Sequence, residues 1–462
     1  MSRQQRSPII QILLVLIAVL FVADVIVIGL CLKTPGSTKS NQKPSASQGN
    51  SNTPSPTDGT EVPTEEAPQL VSTATVLSTG DILMHGKVIN SGKQDDSSYN
   101  FDSIFQYVKS YAQAADFSVA NLETTLCGTD NGYAYAGNPK FNCPDAIVDS
   151  LKGAGFDMLL TANNHADDTS LVGYKRTLNV VREKGLDTLG TYLSADEQKW
   201  TIEEVNGIKI GMVCYTYSDG FSQNGYPLLN YNEVGENGIL NYFTYDKLSE
   251  FYTQLQGYLD EMKAAGAEAT MIYMHWGVEY ITYAREQEQA IAQQLCDMGI
   301  DVIVGGHPHV VEPVDLLQST VDPEHKTVIL YSMGNAVSNQ RLGNISYVST
   351  PHTEDGVLFS VTFSKYSDDT VYLEGVDLIP TWVNLNSNDG SRQYNIVPLV
   401  DDIRDQWMEK FNMTENQFNS AQRSYDRTEE IVGEGLAKAQ AYLAGAKQTR
   451  EENYLLAVQN PG

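Results

Sequence analysis

Residues 269–277 read ATMIYMHWG and residues 301–309 read DVIVGGHPH. Each stretch is an apolar run that stops at or just before a histidine, which is the pattern of a buried parallel strand with a polar residue at its carboxyl end. In α/β proteins, ligands collect at that edge of the sheet. The two stretches therefore predict a parallel sheet that gathers the imidazoles of His275, His307 and His309 at one edge.

The same arrangement recurs along the chain. Apolar runs also stop at Thr79-Gly80-Asp81, Asn121-Leu122-Glu123 and Asn163-Asn164-His165, and Tyr331-Ser332-Met333-Gly334-Asn335 ends another. The predicted strands are Ala74–Ser78, Phe117–Ala120, Met158–Thr161, Ile208–Tyr215, Thr270–Met274, Val302–Val304, Val328–Tyr331 and Val357–Val361. The predicted helices between them are Phe101–Ala115, Asp145–Ala154, Leu171–Lys184, Tyr245–Ala265 and Gln287–Met298. Strands that alternate with helices indicate an α/β fold with much parallel sheet.

The net charge of the chain argues against some classes of binding partner. The chain has 462 residues, 41% of them hydrophobic, and a formal net charge of −28. Residues 1–70 carry five basic and five acidic side chains, so the whole excess falls within residues 71–462. A strongly acidic domain repels phosphate backbones and anionic lipid, which argues against nucleic-acid binding. An anionic substrate would need bound cations.

The N-terminus predicts a membrane anchor. Residues 8–32 (PIIQILLVLIAVLFVADVIVIGLCL) are apolar apart from Asp24 and follow Arg3 and Arg6. About 20 such residues span a bilayer, and basic residues stay on the cytoplasmic side. We expect an uncleaved signal anchor that holds the folded part outside the cell; the alternatives are a cleaved signal peptide and lipidation at Cys31.

The chain divides into four predicted segments. Residues 1–33 form the cytoplasmic tip and transmembrane helix, and the Ser-, Thr- and Pro-rich residues 34–72 form a disordered linker. Residues 73–385 carry the α/β domain. Residues 386–462 are expected to be a helical extension, for example at Ile403–Phe411 and Ile431–Ala446, either packed on the core or free as a partner-binding arm.

The cysteines leave one pairing open. Cys214 and Cys296 lie in strand-like and helix-like surroundings and are expected to be buried thiols. Cys127 and Cys143 are the only close pair, and they either form a disulfide around the intervening loop or stay reduced. Neither has a histidine or cysteine partner at zinc-ligand spacing.

The polar residues at the strand ends predict a divalent metal site. Carboxylate, amide and imidazole ligands together suit a borderline cation. Glu123 could bridge two ions, and Asn164 could offer an amide oxygen. Taken singly, each has a plainer interpretation: Asp81 as a helix N-cap, Glu123 as a surface carboxylate, and Asn163-Asn164-His165 as a turn that caps a helix.

Four further residues are candidates for catalytic or supporting roles. His165, next to Asn164, is expected to face the substrate and to donate a proton to the leaving oxygen. His85 lies four residues after Asp81 and is predicted as an additional ligand or substrate contact. Glu279, four residues after His275, is expected to orient an imidazole. Asn335 is a further candidate ligand.

These motifs in this order resemble the bacterial CapA family of poly-γ-glutamate capsule biosynthesis proteins, which is similar to calcineurin-like metallophosphoesterases. The likeness covers roughly residues 73–385. It implies a layered α/β sandwich of metallophosphoesterase type. It also implies two divalent metal ions (Mn, Zn, Fe or Mg). By resemblance, Asp81, Glu123 and His309 hold one ion, and the second is held by Glu123, Asn164, His275 and His307.

The chain departs from phosphoesterases proper at two positions. Those enzymes usually place a histidine two residues after the first aspartate, where this chain has Leu83, and a bridging aspartate where it has Glu123. Two classes of function follow. One is a metal-dependent hydrolase with His165 as the catalytic acid, acting on a phosphate ester or, as an amidase, on poly-γ-glutamate. The other is a non-catalytic assembly or export factor that binds the anionic polymer or the membrane proteins of capsule synthesis.

Overall fold

Each apolar run predicted as a strand forms one in the computed structural model, which describes residues 68–343, 345–346, 348–386 and 392–459, with side chains up to 453. In chain order the strands are β1 (Leu70–Ile82), β2 (Phe117–Leu122), β3 (Met158–Leu160), β4 (Asp187–Leu189), β5 (Thr201–Val205), β6 (Ile208–Tyr217), β7 (Leu228–Leu229), β8 (Asn232–Glu233), β9 (Tyr242–Phe243), β10 (Ala269–His275), β11 (Val302–Gly306), β12 (Val314–Gln318), β13 (Lys326–Leu330), β14 (Asn335–Val337), β15 (Asp355–Tyr366), β16 (Val371–Asn386) and β17 (Gln393–Pro398).

The strands form two large sheets. The first has the order β17-β16-β15-β1-β2-β3-β4, with β14 beside β1, and the second has the order β12-β13-β11-β10-β6-β5, with β9 beside β6. Parallel pairing joins β1 to β4 in the first sheet and β6, β10, β11 and β13 in the second. The antiparallel strands lie at the flanks. The predicted α/β class is therefore confirmed, and its parallel strands are divided between two sheets.

Helices cover these sheets, and most lie where the sequence predicts them. They are α1 (Gly86–Ser91), α2 (Asp102–Phe105), α3 (Lys109–Ala112), α4 (Ala146–Ala154), α5 (Ser170–Glu183), α6 (Leu248–Ala264), α7 (Glu286–Asp297), α8 (Trp407–Lys410) and α9 (Glu415–Gln459), with short 3-10 helices at Pro351–Glu354 and Asp401–Gln406. The prediction of a single helix over Phe101–Ala115 is wrong. The segment forms two four-residue helices without a capping side chain, separated by residues 106–108.

The layers follow from the apolar faces. One core cluster joins both sheets, with Val119 of β2, Met212 of β6 and Phe359 of β15 among its buried members. A second cluster packs α1 to α4 on the outer face of the first sheet, and a third packs α6 and α7 on the second. The result is a helix–sheet–sheet–helix sandwich. The carboxyl ends of the central parallel strands of both sheets meet at one edge.

The C-terminal segment packs on the core and does not project as a free arm. Val432, Leu436 and Ala439 of α9 are buried in the cluster between the sheets. The expected extension of 386–462 is not helical from its start, because it first supplies β17, which pairs with β16. β17 has only six residues, so its alternation of polar and apolar side chains is too short to indicate a strand from the sequence. β1 likewise begins at Leu70, inside the predicted linker.

The N-terminal prediction lies outside the described residues. The apolar run at 8–32, Cys31 and the linker up to residue 67 belong to this part of the chain. Within the described ranges, no helix combines the length and apolar character that a membrane crossing requires. Cys127, Cys143, Cys214 and Cys296 are buried free thiols, so Cys127 and Cys143 are not joined by a disulfide.

Candidate metal centre

Asp81 lies near the carboxyl end of β1, where β1 pairs with both β2 and β14. It lies beside Asn121 of β2 and Asn335 of β14, and a bulge interrupts the β1–β2 register just before it. Its N–H donates to the Gly334 carbonyl at 2.9 Å. A Cβ at position 80 would collide with that same carbonyl, so only glycine fits ahead of the aspartate. Asp81 is thus a strand residue and not a helix N-cap.

Glu123 follows β2 directly and is completely buried, which rules out a surface carboxylate. Its Oε1 has no hydrogen-bond partner among the described residues. That oxygen lies 3.7 Å from His275 Nε2 and 3.8 Å from His309 Nε2. The Asn121 amide donates to Asp81 Oδ1 at 2.7 Å and lies 3.4 Å from Glu123 Oε2, so it holds the two carboxylates side by side.

The three imidazoles come from two adjacent strands of the second sheet. His275 is the last residue of β10 and pairs in register with Gly306, the last residue of β11. His307 and His309 follow with φ of 98° and 56°, a left-handed backbone that costs a non-glycine residue roughly 1–3 kcal/mol. The loop is held by Tyr280 N–H on the Pro308 carbonyl at 2.8 Å. This unusual backbone turns both rings into the same pocket.

Burial dominates the electrostatics of the pocket. It lowers the pKa of His275 and of His307 well below the usual value, with neighbouring histidines adding to the effect. Both rings are therefore neutral, as a metal ligand must be. Burial, with Asp81 next in size, raises the pKa of Glu123 well above its usual value. A cation at this position would relieve the crowding of the two carboxylates.

Two groups of ligand atoms meet the geometric requirement of a metal site. Glu123, His275 and His307 form one, and Asp81, Glu123 and His309 form the other; within each group the ligand atoms lie within 4.8 Å of one another. Glu123 belongs to both. His307 Nδ1, like Glu123 Oε1, is buried without a hydrogen-bond partner in the described residues. Carboxylate and imidazole donors together fit a borderline divalent ion, so these buried groups could bind one.

Asn164 extends the first of these groups, and His165 follows it in the chain with different contacts. Asn164 Oδ1 lies 2.9 Å from His275 Nε2, so the amide oxygen faces the same space as the imidazole. His165 Nδ1 lies 2.8 Å from Asp168 Oδ2, and its ring meets Phe141 edge to face at 4.6 Å. Asn163 donates to the Leu122 carbonyl at 2.9 Å and accepts from the His165 N–H at 3.1 Å, which fixes the segment against β2.

The candidates for supporting roles, His85, Asn335 and Glu279, have different surroundings. His85 is buried and accepts from the Asn339 N–H at 3.3 Å, while its Nε2 has no partner within the described residues. Burial, assisted by His309, lowers the pKa of His85 to about 3, but His85 belongs to neither ligand group. Asn335 donates to the His309 carbonyl at 3.1 Å and so supports the loop.

Glu279 lies on the rim and not against an imidazole. It is exposed and lines a cavity of about 700 Å³ together with Tyr217, Asp219, Arg285 and His307. Over the described ranges, no hydrogen bond joins Glu279 to a histidine. The cavity opens beside His307, so it gives access from solvent to the metal pocket.

Three residues of the site were not predicted from the sequence. Asn121 belongs to the motif Asn121-Leu122-Glu123, but the motif does not indicate that its side chain bridges Asp81 and Glu123. Asp168 lies three residues after His165, a spacing that could have indicated the pair had the segment been assigned as a helical turn. Asn230 contacts Asn164 and His165 from a distant loop, and no local pattern indicates that.

Comparison with known proteins covers most of the α/β domain. Residues 75–340 match the family model described as "Bacterial capsule synthesis protein PGA_cap". The chain is 30% identical over 239 residues to the "PGA biosynthesis protein CapA" of Bacillus subtilis (strain 168), a match that covers 51% of this chain and 57% of that protein. It is 27% identical over 240 residues to the "Capsule biosynthesis protein CapA" of Bacillus anthracis, covering 51% and 54%.

The chain therefore spans about half the length of the curated relatives it matches. Among solved structures, Haemophilus influenzae NAD nucleotidase (NadN) is similar with a TM-score of 0.39 and 11% sequence identity, over 82% of this chain and 60% of that one.

Proposed function

Since the chain belongs to the bacterial capsule synthesis protein family PGA_cap, we propose that it takes part in capsule or poly-γ-glutamate biosynthesis as a membrane-anchored hydrolase of phosphoesterase type. Its centre would hold two divalent ions. The ligands would be Asp81, Glu123, Asn164, His275, His307 and His309. Residues 8–32 would anchor the chain in the cell membrane, with the domain on the outer side.

The sharing of Glu123 between the two ligand groups carries this proposal. A single structural metal needs one closed set of ligands, whereas a carboxylate common to two sets is the arrangement of a dinuclear site. The two oxygens of Glu123 differ in their surroundings. Oε1 faces His275 and His309, and Oε2 lies near the Asn121 amide.

The residues around the ions would divide the chemistry between them. Divalent ions would supply Lewis-acid activation of water and charge neutralisation of an anionic substrate. Asp168 holds His165 by Nδ1, so the other ring nitrogen is left to give a proton to the leaving oxygen. The cavity beside His307 would admit the substrate. Its acidic rim means that an anionic ester needs the ions for binding.

One observation favours a non-catalytic role instead. Leu83 occupies the place of the first-metal histidine of phosphoesterases and is buried. In that case the same domain would act as an assembly or export factor, binding the anionic polymer or the membrane proteins that make and export it. A hydrolase that cleaves the amide bonds of poly-γ-glutamate would use the same ligands and would shorten the polymer.

Turnover by the full chain tests the proposal. The protein is loaded with Mn²⁺, Zn²⁺ or Mg²⁺ and assayed on aryl phosphate mono- and diesters, with poly-γ-glutamate as a parallel substrate. We expect metal-dependent ester hydrolysis that is lost in Glu123→Gln and strongly reduced in His165→Ala. His325→Gln is the matched control, since His325 lies outside the site and bonds to the Ile300 carbonyl.

An inactive metal-loaded wild type, or a His165→Ala variant as active as the wild type, contradicts the hydrolase. Capsule production that survives His165→Ala in cells but fails when the predicted anchor, residues 8–32, is deleted would favour the assembly factor. Shortening of poly-γ-glutamate with no ester hydrolysis would identify the amidase.

A further inference from the structure

A two-residue turn reaches into the metal centre from outside both large sheets. Asn230 and Tyr231 connect β7 and β8, and both have positive φ, 47° and 61°. Such a pair is the geometry of a type I′ turn, which asparagine and glycine adopt readily. Tyrosine is unusual there, and its side chain is 84% exposed. The backbone is therefore held in this shape for a reason other than burial of Tyr231.

The side chain of Asn230 supplies that reason. Its Oδ1 accepts from Asn164 Nδ2 at 3.1 Å, and its Nδ2 lies 3.3 Å from His165 Nδ1. Asn230 thus contacts both the predicted amide ligand and the predicted acid. The two ligand groups are formed by Asp81, Glu123, His275, His307 and His309, and Asn230 belongs to neither.

The chemistry of an amide makes the contact with Asn164 directional. Asn164 has one oxygen, which can ligate a metal, and one NH₂ group, which cannot. The Asn230 oxygen can only accept, so it engages the NH₂ group. The Asn164 oxygen is then left facing His275 Nε2 at 2.9 Å. With the opposite orientation, Asn164 would present hydrogens to the ions.

The turn is fixed from the side of the cavity. The Tyr231 N–H donates to Asp219 Oδ2 at 2.9 Å, and Asp219 lines the cavity with His307. The hydroxyl of Ser218 donates to the Leu228 carbonyl at 3.0 Å, at the base of the turn. These bonds hold the backbone, so a change confined to the Asn230 side chain should leave the hairpin in place.

We propose that Asn230 is a positioning residue of the metal centre, which sets the orientation of Asn164 as a ligand. This inference rests on the proposed function, in which Asn164 is a ligand. It adds a determinant of metal affinity that lies on the hairpin of residues 228–233, outside both sheets. Removing such a supporting hydrogen bond typically costs about 10- to 100-fold in metal affinity.

Three variants of the full chain separate the possibilities. Asn230→Gly removes the amide and suits the left-handed backbone, so folding should be preserved. Asn230→Asp keeps an acceptor for Asn164 and also tolerates this backbone. Tyr231→Gly is the matched control in the same turn, since it keeps the N–H that bonds to Asp219.

The main measurement is Mn²⁺ and Zn²⁺ affinity by chelator competition, with thermal unfolding of the chelator-treated protein as the folding check. We expect Asn230→Gly to lose about 10- to 100-fold in affinity at one of the two ions. Asn230→Asp should restore most of that loss, and Tyr231→Gly should match the wild type. A purely structural role of the turn would instead weaken both glycine variants equally and would overturn the proposal.

Wild-type affinity in Asn230→Gly overturns this inference whether or not the chain hydrolyses esters. Metal binding without hydrolysis overturns only the hydrolase, and a wild type that binds neither ion overturns both.

Discussion

Nδ1 of His165 lies 2.8 Å from Oδ2 of Asp168, and both side chains are buried. The Phe141 N–H also donates to this Oδ2 at 2.6 Å, so the position of the carboxylate is fixed independently of the histidine. An imidazole held at Nδ1 by a fixed carboxylate keeps its second nitrogen free and oriented. The dyad therefore gives His165 the orientation that a proton donor needs.

Replacing Asp168 by asparagine should lower turnover of an aryl phosphate by roughly 10²- to 10⁴-fold, the usual contribution of a positioned acid. The amide still accepts a hydrogen bond from Phe141, but it no longer stabilises a charged imidazole. Steady-state kinetics at saturating metal measure the effect. Asp168→Asn should add little to His165→Ala, because the two residues act as one unit.

Asp167→Asn is the control for this prediction. Asp167 is the neighbouring buried carboxyl, its Oδ1 has no partner in the described chain, and burial raises its pKa to about 7. It should leave turnover unchanged. Equal losses in the two variants would mean that Asp168 acts only through folding.

The composition of the ligand groups predicts how many ions each variant retains. The wild type should hold about two equivalents, as two-metal sites do. His307→Ala affects one group and His309→Ala the other, so each should retain about one equivalent. Glu123→Gln affects both and should retain least. Elemental analysis after dialysis measures this, with His325→Gln as control. Unchanged metal content in both histidine variants would contradict the two groups.

The sequence predicts that the candidate ligands lie together, because their positions follow a rule of the fold. Asp81, Glu123, His275 and His307 each lie at or just after the end of a parallel strand, and those ends meet at one edge. The apolar runs that precede them are long enough to identify each strand. The sequence does not predict that the strands are divided between two sheets, since that depends on which runs pair.

Asn230 and Asp168 could not be identified in this way. Asn230 lies in a polar loop, and its contact with Asn164 is made across 66 residues. Two-residue turns with asparagine are common, and only the packed structure shows what lies beside one. Asp168 depends on the local turn of residues 165–168, where backbone conformation and not residue type brings the carboxylate to the ring.

Gly306 has no side chain, which leaves room for Asp81 of the first sheet and His275 of the second to lie close together. A Cβ there would lie 3.2 Å from Asp81 Oδ1 and 3.8 Å from His275 Nδ1. Gly306→Ala should therefore displace the carboxylate slightly and weaken metal binding by about 10-fold, or roughly 1.4 kcal/mol. Chelator competition measures the affinity. Gly257→Ala, in α6 with open space around the added methyl group, should instead stabilise the fold by about 0.5–1 kcal/mol.

Glu312 should make stability depend on pH. Burial, with Glu288 adding to it and Arg285 opposing it, raises its pKa to about 8 from an ordinary 4.5. Between these values the folded chain holds a proton that the unfolded chain has lost. The free energy of unfolding therefore falls as pH rises through that window, by at most about 1.4 kcal/mol per pH unit.

Glu312→Gln removes this titrating group, so the free energy of unfolding no longer falls with rising pH on its account. Relative to the wild type, the variant should gain stability steadily from pH 5 to pH 8, as measured by urea unfolding in the presence of chelator. The exposed Glu324→Gln should not change the slope. A difference between Glu312→Gln and the wild type that is constant with pH would show that Glu312 is already ionised in the folded chain.

The long helix α9 is joined to the rear of the metal centre by one buried ion pair. Arg427 bonds through Nε and Nη2 to both oxygens of Asp355, which also accepts from the hydroxyl of Ser424. Asp355 begins β15, and the residue after it pairs with Gly334, whose carbonyl accepts the Asp81 N–H. Asp355 itself is 1% exposed. Loss of the guanidinium would leave the buried carboxylate with only the His352 imidazole, 3.8 Å from Oδ2, as a possible countercharge.

Arg427→Ala should therefore destabilise the protein by about 3–5 kcal/mol, the usual result of removing one partner from a buried pair. Lys438→Ala is the matched control on the same helix, because the side chains of Lys438 and its partner Asp315 are 56% and 40% exposed. An exposed pair of this kind contributes at most about 1 kcal/mol. Urea unfolding followed by circular dichroism measures both. Equal small losses would mean that α9 is only loosely attached, whereas a large loss at Arg427 alone would mean that α9 is an integral part of the domain.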